Sequence, residues 1–331
     1  MGRWGLTALL AFPLLAGAIA VQAQQQGATG LAQAELAQDP DGPEIVVTGD
    51  RNRDRVVQHY VSAVTVQTRE QIARFADPVC PASYGLPRDY GTVVVSRIRE
   101  AAREAGVRVA GPRCRPNVVI LTADRGEDVL AGLRRRRPAL FVGLGHADLR
   151  SLARVDGPVR AWQLVEERGS DGRAAQSIAF IRNPNGTMMY IGATRQLNTL
   201  VASRLEQTVR QDLALSVVIF DVDALNGLTL QQIGDYAAMR ALAPTDPDRA
   251  PSGQTILALF RDKYSGTAPA EALTGLDSAY LRAVYATDNR LGGRMQESGI
   301  IRAVGWSLAN MPGDPDTSFS QLSVPVNRAD R

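Results

Sequence analysis

Residues 216–242, Ser-Val-Val-Ile-Phe-Asp-Val-Asp-Ala-Leu-Asn-Gly-Leu-Thr-Leu-Gln-Gln-Ile-Gly-Asp-Tyr-Ala-Ala-Met-Arg-Ala-Leu, constrain the fold more than any other stretch. Val217, Val218, Ile219 and Phe220 form a β-branched and aromatic run that stops at Asp221, the pattern of a short strand. A run apolar on both faces belongs inside a sheet. Thr229 and Gln232 then have capping-box spacing, and Leu228 and Ile233 stand where a hydrophobic staple would hold the helix entry. Leu230, Ile233, Gly234, Ala237, Ala238 and Ala241 recur at helical spacing, so a stripe of mostly small side chains predicts close approach to the sheet. Pro244 closes the segment.

At the other end, Arg3 precedes an apolar run over residues 6–21, and small residues lead to a plausible cleavage after Ala23. Residues 1–23 therefore read as a secretory signal peptide, with an uncleaved N-terminal anchor as the alternative. No later stretch has the roughly 20 apolar residues of a spanning helix. The mature chain is accordingly expected in the periplasm or secreted, with no transmembrane span. In such an oxidising compartment the two cysteines, Cys80 and Cys114, are expected to pair. The loop so closed, about 35 residues, would be worth roughly 3 to 4 kcal/mol on the chain-entropy model. A reactive thiol has less support, because neither cysteine lies in a Cys-x-x-Cys pair and only two histidines exist to act as a base.

The chain is 331 residues long and 45% hydrophobic, enough for a large core. Its net charge of +3 is small, and its positive charge is nearly all arginine, Lys263 being the one lysine. Arg134 to Arg137 form a basic run without interleaved aromatics, which reads as a solvated helix end rather than a nucleic-acid surface. No nucleic-acid partner is expected.

Residues 24–54 read as a disordered tether, rich in Gln, Ala, Asp, Gly and Pro. Within it, Glu44-Ile-Val-Val-Thr-Gly-Asp-Arg51 resembles the segment that precedes the plug of TonB-dependent outer-membrane receptors, and residues 65–72 echo the following plug strand. The resemblance implies strand addition to a periplasmic partner. An ordinary edge strand or a compositional echo is the preferred alternative. Residues 55–310 are expected to form one α+β domain, with a mixed part at 55–243 and a helical part at 244–310, followed by a loose tail at 311–331. Helices are predicted at 56–64, 93–105, 128–136, 147–154 and 197–213, strands at 107–110, 118–121 and 159–166, and a hairpin at 177–191 around Asn183-Pro-Asn-Gly186. The C-terminal helices are placed at 254–260, 275–285 and 293–309.

This order, with Gln232 to Leu242, Thr255 to Phe260 and Leu273 to Tyr285, resembles the zincin-like metallopeptidase arrangement and an exported bacterial family related to it. The chain, including Arg74 to Pro81 and Cys114-Arg-Pro-Asn117, also resembles uncharacterised proteins of sphingomonad-type alphaproteobacteria. The resemblance implies an α+β fold: a mixed sheet with flanking helices and a helical C-terminal subdomain, zincin-like. A zincin carries His-Glu-x-x-His on its pivotal helix, two histidines on one face gripping zinc and the glutamate acting as base. Here the matching positions are Asp235, Tyr236, Ala237, Ala238 and Met239. Met239 is a poor zinc ligand and Tyr236 cannot replace the base, so the metal site is expected to be lost and no cofactor is expected.

Asp235, Tyr236 and Met239, with Asp221 and Asp223, are nonetheless the candidate binding residues. Asp221 and Asp223 lie two apart at a strand end, a spacing that suits a hard cation or a carboxylate pair, although strand-end and turn residues beside Asn226-Gly227 are the preferred reading. His146 lacks a nucleophile partner, and Trp162 and Trp306 read as core. Two functions follow. One is a non-catalytic periplasmic or cell-envelope protein whose degenerate peptidase-like domain binds a peptide, protein or envelope component. The alternative is a diverged metal-dependent hydrolase or peptidase using Asp221, Asp223 and Asp235. The sequence leaves oligomeric state open.

Overall fold

The computed structural model describes residues 48–141, 144–153, 157–169, 172, 176–182, 188–196 and 207–310. The expected signal peptide, the expected tether up to residue 47, residues 183–186 of the expected hairpin, residues 197–206 of the expected helix and the expected tail from 311 lie outside the described residues.

The chain is α+β. Strands β1 (Pro81–Tyr84), β2 (Val118–Ala123), β3 (Val159–Gly169) and β6 (Val209–Asp221) form a four-stranded mixed sheet in the order β1-β2-β6-β3, while β4 (Gln176–Arg182) and β5 (Met188–Gln196) pair as a separate antiparallel hairpin. β6 runs parallel to β2, with Val218 opposite Ile120, and antiparallel to β3, with Val217 opposite Trp162. The expected buried strand is thus interior to the sheet, as its two-sided apolar run requires.

Two apolar layers cover the two faces. Val118, Ile120, Val218 and Phe220 face the larger core, shared with α1 (Thr48–Val64), α2 (Arg88–Glu104), α5 (Leu230–Leu242), α7 (Gly275–Ala286) and α8 (Gly293–Ala309). Val217 and Ile219 face a smaller one with Leu130 of α3 (Gly126–Arg136), Leu152 of α4 (His146–Ala153), and Phe141 stacked on Trp162 at 5.0 Å. The C-terminal helices share the larger core with α1 and α2, so one continuous apolar cluster joins the mixed and helical parts.

The sequence-based expectations need several corrections. β6 starts at Val209, so the end of the helix expected over 197–213 is strand. Pairing with β3 overrides the local helical period, and a register shift opposite Leu164/Val165 puts Leu213 in the larger core and Leu215 against the smaller. The strand expected over 107–110 is reduced to a single bridge, Val79 to Val109. Unanticipated β1 opens on Pro81, which an edge strand tolerates because its first residue need not donate. The helix expected over 254–260 is a 3-10 turn at Ile256–Ala258 followed by α6 (Leu259–Ser265). α1 starts at Thr48, inside the expected tether, so Thr48 to Arg51 of the receptor-like segment are helical rather than strand. Trp306 is 71% exposed, not core.

Cys80 and Cys114 are bonded, with Cα atoms 6.0 Å apart, tying the residue before β1 to the loop before β2. Among the described residues, no helix is long and apolar enough to cross a membrane. Arg134 to Arg137 are exposed at the C-terminal end of α3, where the helix dipole favours cations.

Candidate functional site

The start of α5 is built as its sequence specifies. Thr229 Oγ1 accepts from the Gln232 N–H at 3.1 Å, and Gln232 Oε1 accepts from the Thr229 N–H at 3.0 Å. Ten of the thirteen helix residues are buried, so α5 is enclosed on every side rather than half-exposed. Its small stripe meets α2 as well as the sheet: a Cβ on Gly234 would lie 2.6 Å from Arg97 Cβ, a distance only glycine permits.

Burial decides what the α5 candidates can do. Asp235 is completely buried, and its carboxylate is fully engaged. Arg97 Nε donates to Oδ1 at 2.9 Å, Arg97 Nη2 to Oδ2 at 3.0 Å, and the Leu273 N–H to Oδ2 at 2.9 Å. Burial raises the Asp235 pKa, against the lowering from the Leu273 N–H and Arg97. Burial also works against the Arg97 charge, but the hydrogen bond and charge of Asp235 outweigh it and raise the guanidinium pKa. Met239 is buried at 0% and Tyr236 at 3%, the latter edge-on to Phe260 with centroids 4.9 Å apart. These three side chains are brought together in packed core, and none of them lines the open cavity described below.

Asp221 and Asp223 are not presented as a pair on one strand face. The chain leaves β6 at Asp221 and enters a 3-10 turn, Val222–Leu225, which breaks the two-residue alternation. Asp221 Oδ1 accepts from the Gly126 N–H at 2.6 Å and from Arg160 Nη1 at 3.3 Å, joining the ends of β6 and β3 to the start of α3. Asp223 is exposed on the turn, which Lys263 fastens by donating to the carbonyls of Ala224 (2.8 Å) and Asn226 (2.6 Å). Among the described residues no three His, Cys, Asp or Glu side chains converge as a metal site.

An open cavity of ≈260 Å³ lies elsewhere, where the loop at 74–77, the turn at 106–108, the start of β6 and the end of α7 come together. Arg74, Asp77, Arg108, Arg210, Tyr285 and Asn289 are its polar lining. Arg74 Nη1 donates to the carbonyls of Val284 (2.8 Å) and Tyr285 (2.6 Å) in the last turn of α7, where a cation meets the negative end of the dipole. Arg108 Nη2 donates to Ala76 O at 2.8 Å, and Arg210 holds Asp212 through Nε (3.1 Å) and Nη2 (2.9 Å). Asp77 is paired with Arg168 at 2.8 Å. Tyr285 donates to Leu242 O at 2.6 Å, and burial pushes its pKa well up. Burial lowers the Arg74 pKa, and the nearby Arg210 charge lowers it further against Tyr285, Asp212 and Asp288.

Sequence reasoning did not single out these arginines. They are separated by 34 and 102 positions, each alone among unrelated neighbours, and only the packing of four chain segments gathers them. His59 and His146 are exposed on α1 and at the start of α4. Set against known proteins, the chain matches no family model, no curated protein and no solved structure.

Proposed function

We propose that this chain is an exported, non-catalytic binding protein of the periplasm or cell envelope, built on a zincin-like framework whose metal-gripping positions have become core. The carrying observation is the state of α5. Asp235 is sealed and bidentate with Arg97, and Met239 one turn on is fully buried, so neither position offers a lone pair to an ion or a face to a substrate. A buried carboxylate already holding a guanidinium is a structural clamp, and recruiting it to a metal would strand the arginine. The same observation weighs against a hydrolase using Asp221, Asp223 and Asp235, because Asp221 is engaged with Gly126 and Arg160 while Asp223 lies on a solvent-facing turn.

Elemental analysis of the purified mature protein, joined to a peptidase screen with and without added Zn²⁺, Mn²⁺ and Ca²⁺, tests the reading. No stoichiometric metal and no cleavage are expected. Stoichiometric metal that disappears in Asp235→Ala, or metal-stimulated cleavage, would overturn it.

A further inference from the structure

The geometry points to the arginine-lined cavity as an oxyanion site, taking one compact carboxylate or phosphoryl group of a ligand. This deepens the binding reading and rests on it. The lining sets three guanidiniums against one carboxylate, and that carboxylate, Asp77, is already paired with Arg168. Arg210 is balanced by Asp212, whereas the hydrogen bonds of Arg74 and Arg108 go to backbone carbonyls, and the Asp212 and Asp288 charges near Arg74 do not outweigh its burial.

Donors also remain in hand. Arg74 bonds through Nη1, Arg108 through Nη2, and Arg210 through Nε and Nη2. Their other guanidinium nitrogens have no partner among the described residues. Guanidinium forks match the planar, two-oxygen edge of carboxylate and phosphate, which a lysine ammonium does not. Desolvation and the nearby Arg210 charge both disfavour the Arg74 guanidinium, and an anion in the cavity that both line would offset them.

Size narrows the ligand. A volume of ≈260 Å³ is below the roughly 300–1,000 Å³ of drug-sized ligand sites, so the cavity holds a single charged group rather than a whole cofactor. Apolar lining is limited to Phe75, Ala76 and Val107 with the Tyr285 ring, and gives the group's stem a wall to rest on.

The test is isothermal titration of the full mature chain at low ionic strength with three probes: inorganic phosphate, an N-acetylated dipeptide with a free C-terminal carboxylate, and the same dipeptide as its amide. Saturable millimolar or tighter binding of phosphate or of the free-acid dipeptide, but not of the amide, is expected; whichever binds identifies the source of the oxyanion. Arg108→Gln, which gives up only the Ala76 contact, should weaken that binding about tenfold, the worth of one charge-assisted hydrogen bond. Asp77→Asn removes the one carboxylate of the cavity lining and should tighten it, an effect that a merely structural role for these residues does not produce. No saturable binding of either anion, or unchanged affinity in both variants, overturns the site. Either result leaves the non-catalytic reading standing, since that is decided by metal content and peptidase activity.

Discussion

Asp235→Ala separates a structural clamp from a vacated ligand position. The substitution deletes three hydrogen bonds at 2.9, 3.0 and 2.9 Å to a completely buried carboxylate. Left behind are the Leu273 N–H, a buried donor costing about 1–3 kcal/mol when unpaired, and the Arg97 guanidinium. Breaking a buried ion pair by removing one partner costs about 3–5 kcal/mol. Arg97, however, keeps its contact with Glu100, and its side chain is 25% exposed, so water reaches the stranded charge. The lower end applies, a loss of about 3 kcal/mol, and for a domain of this size a melting point lower by roughly 6–12 °C. Arg97→Met alone should cost more, because it strands the carboxylate, which has no exposure at all. The double variant Arg97→Met/Asp235→Leu should recover much of the loss, since well-packed apolar replacements of a buried pair are often neutral. Urea unfolding followed by circular dichroism measures these variants, with the midpoint moving at constant slope. A loss under about 1 kcal/mol for Asp235→Ala, or a double variant whose loss equals the sum of those of Arg97→Met and Asp235→Leu alone, would refute the clamp, because residues in direct contact should couple by about 0.5–3 kcal/mol.

Two further outcomes follow from buried groups. Asp277 is fully buried and accepts from Tyr60 Oη (2.8 Å), Thr274 Oγ1 (2.8 Å), the N–H groups of Ile256 (2.9 Å) and Thr274 (3.0 Å), and Thr255 Oγ1. Burial raises its pKa in spite of these bonds, so its contribution to stability is present below the unfolded value of about 3.9 and lost as pH rises through the folded value. Unfolding free energies compared from pH 4 to 7 should therefore show wild type losing more stability with rising pH than Asp277→Asn, and a pH-independent difference between the two would contradict this. Gly234→Ala puts a Cβ 2.6 Å from Arg97 Cβ and 3.1 Å from its Cγ. Overpacking of about 1–3 kcal/mol should exceed the helix-propensity gain of about 1 kcal/mol and lower the urea midpoint, whereas a neutral or stabilised variant would mean that α2 and α5 can separate without cost.

Much of the frame was legible because its signals are local. The Thr229/Gln232 capping box needs only four residues, and the run Val217 to Phe220 announces an interior strand by having no polar face. The cysteines were legible by elimination, being the only pair available. The second capping box, Thr274 with Asp277, has the same spacing but went unread because its third position is aspartate rather than glutamate or glutamine. β1 was hidden by Pro81 and by its four-residue length, and residues 209–213 by a helical period that pairing with β3 overrode.

The sequence alone therefore determined which segments have a start, an end and an apolar face, because caps, breakers and periodicity act over a few neighbouring residues. Only the tertiary structure decided what those faces enclose. Asp235 was a candidate ligand until Arg97, 138 positions earlier, and Leu273, 38 positions later, occupied its oxygens. Arg74, Arg108 and Arg210 were ordinary surface arginines until four segments folded around one cavity. Charge in a protein acts through space with a strength set by burial and distance, and neither is written along the chain.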